Sequence, residues 1–192
     1  VWDDHDYGPD NADASSPGRS AARAAYRLAV PSYPVAPGDA PIHQAFTIGR
    51  VRFVLTDGRS ERTADSMLGD EQREWLLDEL IESSRTHAVV VWVSTSPWIG
   101  EAEVGADYWA GYPGERRLIA DALAAADVDN LVMLTGDAHM VALDDGTNSG
   151  YATDGSRGFP VLNAAALDRP GNTKGGPYSE GMFPGGGQFG TM

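Results

Sequence analysis

The chain has 192 residues, with 28 Asp and Glu against 14 Lys and Arg, for a formal net charge of −14. That length and a 42% hydrophobic fraction suit one globular domain with its own core. The charge repels polyanions and so argues against strong nucleic-acid binding, while the absence of cysteine excludes disulfides, thiolate zinc sites and a cysteine nucleophile. No apolar run reaches the ~20 residues of a membrane span.

The chain opens VWDDHDYGPD. Asp3, Asp4, His5 and Asp6 precede every predicted element, and termini fray unless something ties them down. Taken alone, the run reads as a solvated acidic stretch. Ser15-Ser16-Pro17 marks a helix start, with the helix running through AARAAYRLAV to Pro31. After a Pro-rich loop, QAFTIG and RVRFVLTDG read as two strands joined at Gly49-Arg50 in a hairpin. GDEQREWLLDELIESS is an amphipathic helix, with Trp75, Leu76, Leu80 and Ile81 near helical spacing.

HAVVVWVSTSP is β-branched and nearly all apolar, as a buried strand requires. Pro113 opens the helix GYPGERRLIADALAAADV. LVMLTGD is another buried strand and FPVLNAAAL a weaker one. LDDGTNSG, at Asp144-Asp145, reads as a hairpin turn, because it lacks the spaced oxygens and closing Glu of an EF-hand. From Asp168 to Met192 the Gly and Pro density predicts a loose tail. Alternating helices and strands place the chain in the α/β class as a single domain.

Open α/β sheets carry their sites beyond the carboxyl ends of strands. Three such ends are polar here: Asp57 and Arg59, then Thr95-Ser96-Pro97-Trp98, then Asp137 and His139. Were the last stretch extended, Asp137 and His139 would emerge on one face as a fair pair of metal ligands. An isolated Asp-x-His is a weak signal, met more often as a loop Asp beside a hydrogen-bonded His.

Five ordered blocks, WDDHDYG, LTDGRS, MLGDEQREWLLDEL, DYWAGYPGERR and LTGDAHM, resemble the PhoD-like alkaline phosphatases of the calcineurin-like metallophosphoesterase superfamily. The resemblance extends to the NTKGGPYSEGMFPGGGQFG tail. It implies a layered β-sandwich flanked by helices and hydrolysis of phosphate mono- or diesters at a multi-metal centre using Ca, Fe, Mn or Zn. It also implies roles for individual residues. Asp4 replaces the superfamily's Asn as a metal ligand, and Asn11 is a lesser ligand candidate. Asp137 and His139 are further metal ligands. His5 is the acid or base that meets the leaving oxygen; independently of the resemblance, the guanidinium fork of Arg59 at its strand end suits a non-transferring phosphate oxygen. Thr95 takes a position held by His in related phosphatases and is a poor ligand there. The resemblance also favours a secreted, periplasmic or cell-surface location.

The superfamily's first-half blocks, Asp-x-His and Gly-Asp-x-x-Asp, are absent as separate blocks, and so is the Cys that PhoD-like enzymes use. The expectation is therefore a domain incomplete at both ends, holding about half the metal site, and able to self-associate through an exposed sheet edge. The rival expectation is a catalytically inactive metal-binding or interaction domain that keeps the fold.

Overall fold

The computed structural model describes residues 1–164 and 166–191. Ala165, within the last expected strand, and Met192, at the end of the expected tail, lie outside them. The β-branched and aromatic runs form strands, and the Ala-, Leu- and Glu-rich runs form helices, as their propensities dictate. In chain order these are α1 (Asp4–Tyr7), α2 (Arg19–Ala29), β1 (Gln44–Ile48), β2 (Val51–Leu55), α3 (Asp70–Thr86), β3 (Val89–Val93), a 3-10 turn (Trp109–Gly111), α4 (Pro113–Ala125), β4 (Leu131–Thr135), β5 (Met140–Asp144), β6 (Val161–Ala164) and β7 (Met182–Pro184).

The strands make one seven-stranded mixed sheet in the order β1-β2-β3-β4-β6-β5-β7. β1 and β2 pair antiparallel as the predicted hairpin. β2, β3, β4 and β6 run parallel, so their carboxyl ends emerge together. β5 returns antiparallel beside β6, and β7 pairs antiparallel with β5. The α/β class and the helices against the sheet are as expected.

One face of the sheet carries the main core. Val54, Val90, Trp92, Leu131 and Met133 pack under Leu76 and Leu80 of α3 and Ile119 and Leu123 of α4. Trp92, Trp98 and Trp109 meet edge to face, with ring centroids 5.1–5.7 Å apart, and all three are fully buried. The opposite face is only half-covered at Phe53, Val132 and Leu134.

Four local readings need correction. The helix after Ser15-Ser16-Pro17 begins at Arg19, because Ser16 supplies a backbone carbonyl to the Arg19 N–H and the turn ahead of it stays irregular. The amino-terminal acids form a short helix, in which Asp6 Oδ2 accepts from the Asp3 N–H at 3.0 Å. MVALD, unassigned in the sequence, is β5. The loose tail contains β7 and is laced to the rest of the chain by its own backbone: Asn172 N–H donates to the His139 carbonyl, Gly176 N–H to that of Ile99, and Glu180 N–H to that of Leu143. Composition misjudged this stretch because much of its order comes from backbone donors reaching other elements, with Tyr178 and Met182 its few side chains in the core.

Candidate functional site

The amino end is fastened by one buried carboxylate. Asp57, at the end of β2, is wholly enclosed. It accepts from the Trp2 indole N–H at 2.7 Å and from the backbone N–H groups of Ile42, Arg59 and Ser60 at 3.0–3.1 Å. The Trp2 ring packs on Tyr7 and Tyr26, with centroids 5.1 and 5.3 Å away. A strand-end Asp and an indole thus hold the first residues where sequence alone predicts fraying.

Around this anchor the predicted residues fall into two sets. The first comprises Asp4 and His5, joined by the unpredicted Asp10; the ligand atoms of the three lie within 4.8 Å of one another, the one such trio among the described residues. Asn11 joins them: its backbone N–H donates to Asp4 Oδ2 at 3.0 Å and its amide to Asp10 Oδ2 at 3.1 Å. Burial is the largest influence on Asp4 and pushes its pKa up. The Asn11 and His5 N–H groups and the Arg59 charge outweigh it and hold the carboxyl below its ordinary value. His5 is exposed, with Nε2 3.7 Å from Asp10 Oδ1.

Arg59 lies behind this turn, with no exposed surface. Its Nε donates to Asp3 Oδ1 at 2.7 Å, and Nη2 lies 2.6 Å from the same oxygen and 3.9 Å from Asp4 Oδ2. Nη2 has poor hydrogen-bond alignment despite that closeness, so it and Nη1 are both left without an acceptor.

The second set lies on the turn after β4. Asp137 and His139 are not extended: both occupy the left-handed region, at φ 66° and 52°. The expectation of one shared strand face therefore fails. Ala138 N–H closes back on the Gly136 carbonyl at 2.8 Å, and Gly136 N–H donates to Thr95 at 3.0 Å, which ties this turn to the end of β3. Lys174 donates to Asp137 Oδ2 at 2.7 Å and to both oxygens of Asp107 at 2.9 and 3.0 Å. Burial raises the Asp137 pKa above its ordinary value despite the pull of Lys174, and Asp3 and Asp107 add to the rise.

A cleft of about 330 Å³ joins the two ends of this arrangement. Asp3 and Asp6 line it from α1 and its approach, Thr95 from the end of β3, and Gly136 and Asp137 from the end of β4. Asp137 thus faces the amino-terminal acids, while Asp4, His5 and Asn11 cluster with Asp10. Carboxylates with an imidazole, as in Asp4, His5 and Asp10, are the donor chemistry of Fe, Mn and Zn, and oxygens alone, as in the cleft, suit Ca. The Thr95 hydroxyl, buried and unpartnered, adds a polar atom that no protein group satisfies. The residues present therefore fit a cation site.

Sequence reasoning missed Asp3, Asp6, Asp10, Asp107 and Lys174. The i, i+3 spacing of Asp3 and Asp6 was the available signal for the first two. Lys174 had none, being a lone lysine in a Gly-rich stretch. The structure also bears on LDDGTNSG. Asp144 is fully buried, and its oxygens accept from Gly146, Asn148 and Ser179, which is a turn and not a cation loop.

Comparison with solved structures bears on the fold. The solved structure titled "Structure of PhoD" matches with a TM-score of 0.70 at 22% identity, over 86% of this chain and 39% of that one. A purple acid phosphatase from yellow lupin (Lupinus luteus) seeds matches with a TM-score of 0.43 at 11% identity, over 69% of this chain and 24% of that one. No curated protein is significantly similar. The chain spans 39% of the length of the PhoD structure it resembles. The model of the PhoD-like phosphatase family matches residues 1–167. The chain belongs to the PhoD-like phosphatase family.

Proposed function

We propose that the protein hydrolyses phosphate esters at a metal centre built on this end of the sheet, the substrate being a small mono- or diester. The observation that carries this reading is the cleft where Asp3 and Asp6 of the amino end meet Asp137 of the β4 turn, in a chain of phosphatase ancestry. Asp3, Asp6 and Asp137 are the cleft's own candidate ligands for Ca, Fe, Mn or Zn, and the family resemblance adds Asp4, Asn11 and His139, which border the cleft without lining it. Bound cations neutralise phosphate charge and supply hydroxide near neutral pH.

The chain's own groups do the rest. His5 is exposed beside Asp10, placed to move a proton at the leaving oxygen. Arg59, enclosed behind Asp3, orients the acidic turn, and it reaches a phosphate oxygen where Asp3 yields its place. Edge strands β1 and β7 and the half-covered sheet face support self-association. Residence outside the cytoplasm accords with the family resemblance.

A second reading, an inactive metal-binding or interaction domain, draws on the lack, within these 192 residues, of a Gly-Asp-x-x-Asp block and of an Asp-x-His block beyond Asp3–His5 and Asp137–His139. Hydrolysis of p-nitrophenyl phosphate and its diester, with Ca, Fe, Mn or Zn added in turn, separates the two. We expect turnover that chelation abolishes, that Asp137→Ala and His139→Ala remove, and that His5→Ala lowers by ~10²–10⁴-fold. Metal binding without turnover of either ester would favour the inactive domain.

A further inference from the structure

Resting on the metal-centre reading, we propose that Lys174 is a positioning residue: its ammonium braces Asp107 against Asp137 and so fixes the direction of the Asp137 carboxylate. Asp107 is a firm base for such a brace. Its carbonyl accepts from the buried Arg62 guanidinium at 2.7 Å, and two residues on, Trp109 is fully buried with its N–H on the Pro97 carbonyl. The Lys174 ammonium meets both Asp107 oxygens but only Oδ2 of Asp137. Oδ1 of Asp137 makes no hydrogen bond among the described residues, and Asp137 lines the cleft.

The segment that carries Lys174 is seated with little play. Asn172 N–H donates to His139, in the same turn as Asp137, at 3.1 Å, and Gly176 N–H to Ile99 at 3.0 Å. A Cβ on Gly175 would lie 2.1 Å from the Ile99 carbonyl oxygen, at φ +74°, so only glycine permits this approach. The Tyr108 ring centroid lies 5.8 Å from Nζ and closes the site on that side.

This geometry distinguishes a brace from a stand-in for the cation. To displace Lys174, an incoming ion would have to leave the ammonium without either acid in a mostly buried position. An ion that takes the other Asp137 oxygen leaves the brace intact. A carboxylate held by one oxygen and ligating through the other is the usual second layer of a metal site, and loss of such a partner weakens metal binding by ~10–100-fold.

The test is Mn²⁺ affinity, measured by calorimetry and by the EPR signal of the bound ion, on the protein and three variants. Lys174→Met should weaken Mn²⁺ by ~10–100-fold and broaden the signal, and Lys174→Arg, which keeps a charge able to span both acids, should restore most of the affinity. Asp107→Asn should weaken binding in the same direction, and it serves if Lys174→Met does not fold. Unchanged or tighter binding in the variant lacking the ammonium overturns the brace and leaves the metal centre standing. Failure of the unaltered protein to bind Mn²⁺, Zn²⁺, Ca²⁺ or Fe overturns the metal-centre reading itself.

Discussion

Two short segments lie at the carboxyl ends of the parallel strands, and they are secured by different means. Residues 1–7 are fastened from inside, by the Trp2 ring in an aromatic nest and by the fully buried Asp57. Residues 172–176 are fastened from outside, by backbone N–H groups and by one lysine between two acids. The first attachment relies on burial and on donors that lose their only partner if it goes. The second relies on charges that retain some contact with water. The acidic half of the cleft is therefore the stiffer one, and the Asp137 side responds more readily to ionic conditions.

Breaking the inner attachment should have the largest effect. Asp57→Ala orphans the Trp2 indole and three backbone N–H groups in a dry site. At ~1–3 kcal/mol for each buried donor left unpaired, chemical denaturation should register a loss of ~4 kcal/mol or more. Trp2→Ala should cost ~3 kcal/mol and release the amides of residues 1–7 to rapid hydrogen exchange, with those of β3 and β4 remaining protected. Protection of residues 1–7 that survives either change would erase the contrast between the segments.

The outer attachment should yield more cheaply. Gly175→Ala forces a Cβ into the Ile99 carbonyl and should cost ~1–3 kcal/mol. Its sharper consequence is that the Lys174 brace moves with the loop, so Mn²⁺ affinity should fall as it does in Lys174→Met. Unaltered metal binding in this variant would uncouple the loop from the site.

The smallest effect concerns pH and lies away from both segments. His43 stacks on Trp75 with centroids 4.3 Å apart, and burial holds its pKa below the ordinary histidine value. A histidine depressed in the folded state adds stability above its unfolded pKa and loses it as pH falls through the folded one. Melting temperatures at pH 7.5 and 5.5 should therefore diverge less in His43→Phe than in the parent protein. An equal drop in both would remove His43 from the acid response.

Most of the framework was legible because it is local. Alternation and β-branching marked β1 to β4, Pro113 marked the start of α4, and Gly49 marked the hairpin. β5 was hidden by its position: MVALD follows two left-handed residues, and its polar flanks resemble a loop. The site was legible in part. Asp4, His5, Asn11, Asp137 and His139 were noticed through ordered blocks of the sequence, and Arg59 through its place at a strand end. That Asp3 and Asp6 face Asp137, while Asp4 turns towards Asp10, depends on how α1 rotates over the sheet. That rotation is fixed by Trp2 and Asp57, 55 residues apart in the chain. Lys174 depends on a loop that closes onto the site only after the sheet is assembled, so no window of sequence could contain it.

The left-handed turn of Asp137 and His139 has a consequence for descent. Asp, Asn and His are the non-glycine residues that most readily take this conformation, and Asp and His also ligate metals. Residue types that suit the turn and those that suit a cation overlap only narrowly here. A lineage that drifts to Asn or Gly at both positions would keep the turn while shedding both candidate ligands, and its fold would register only the loss of the Asp137 contact with Lys174.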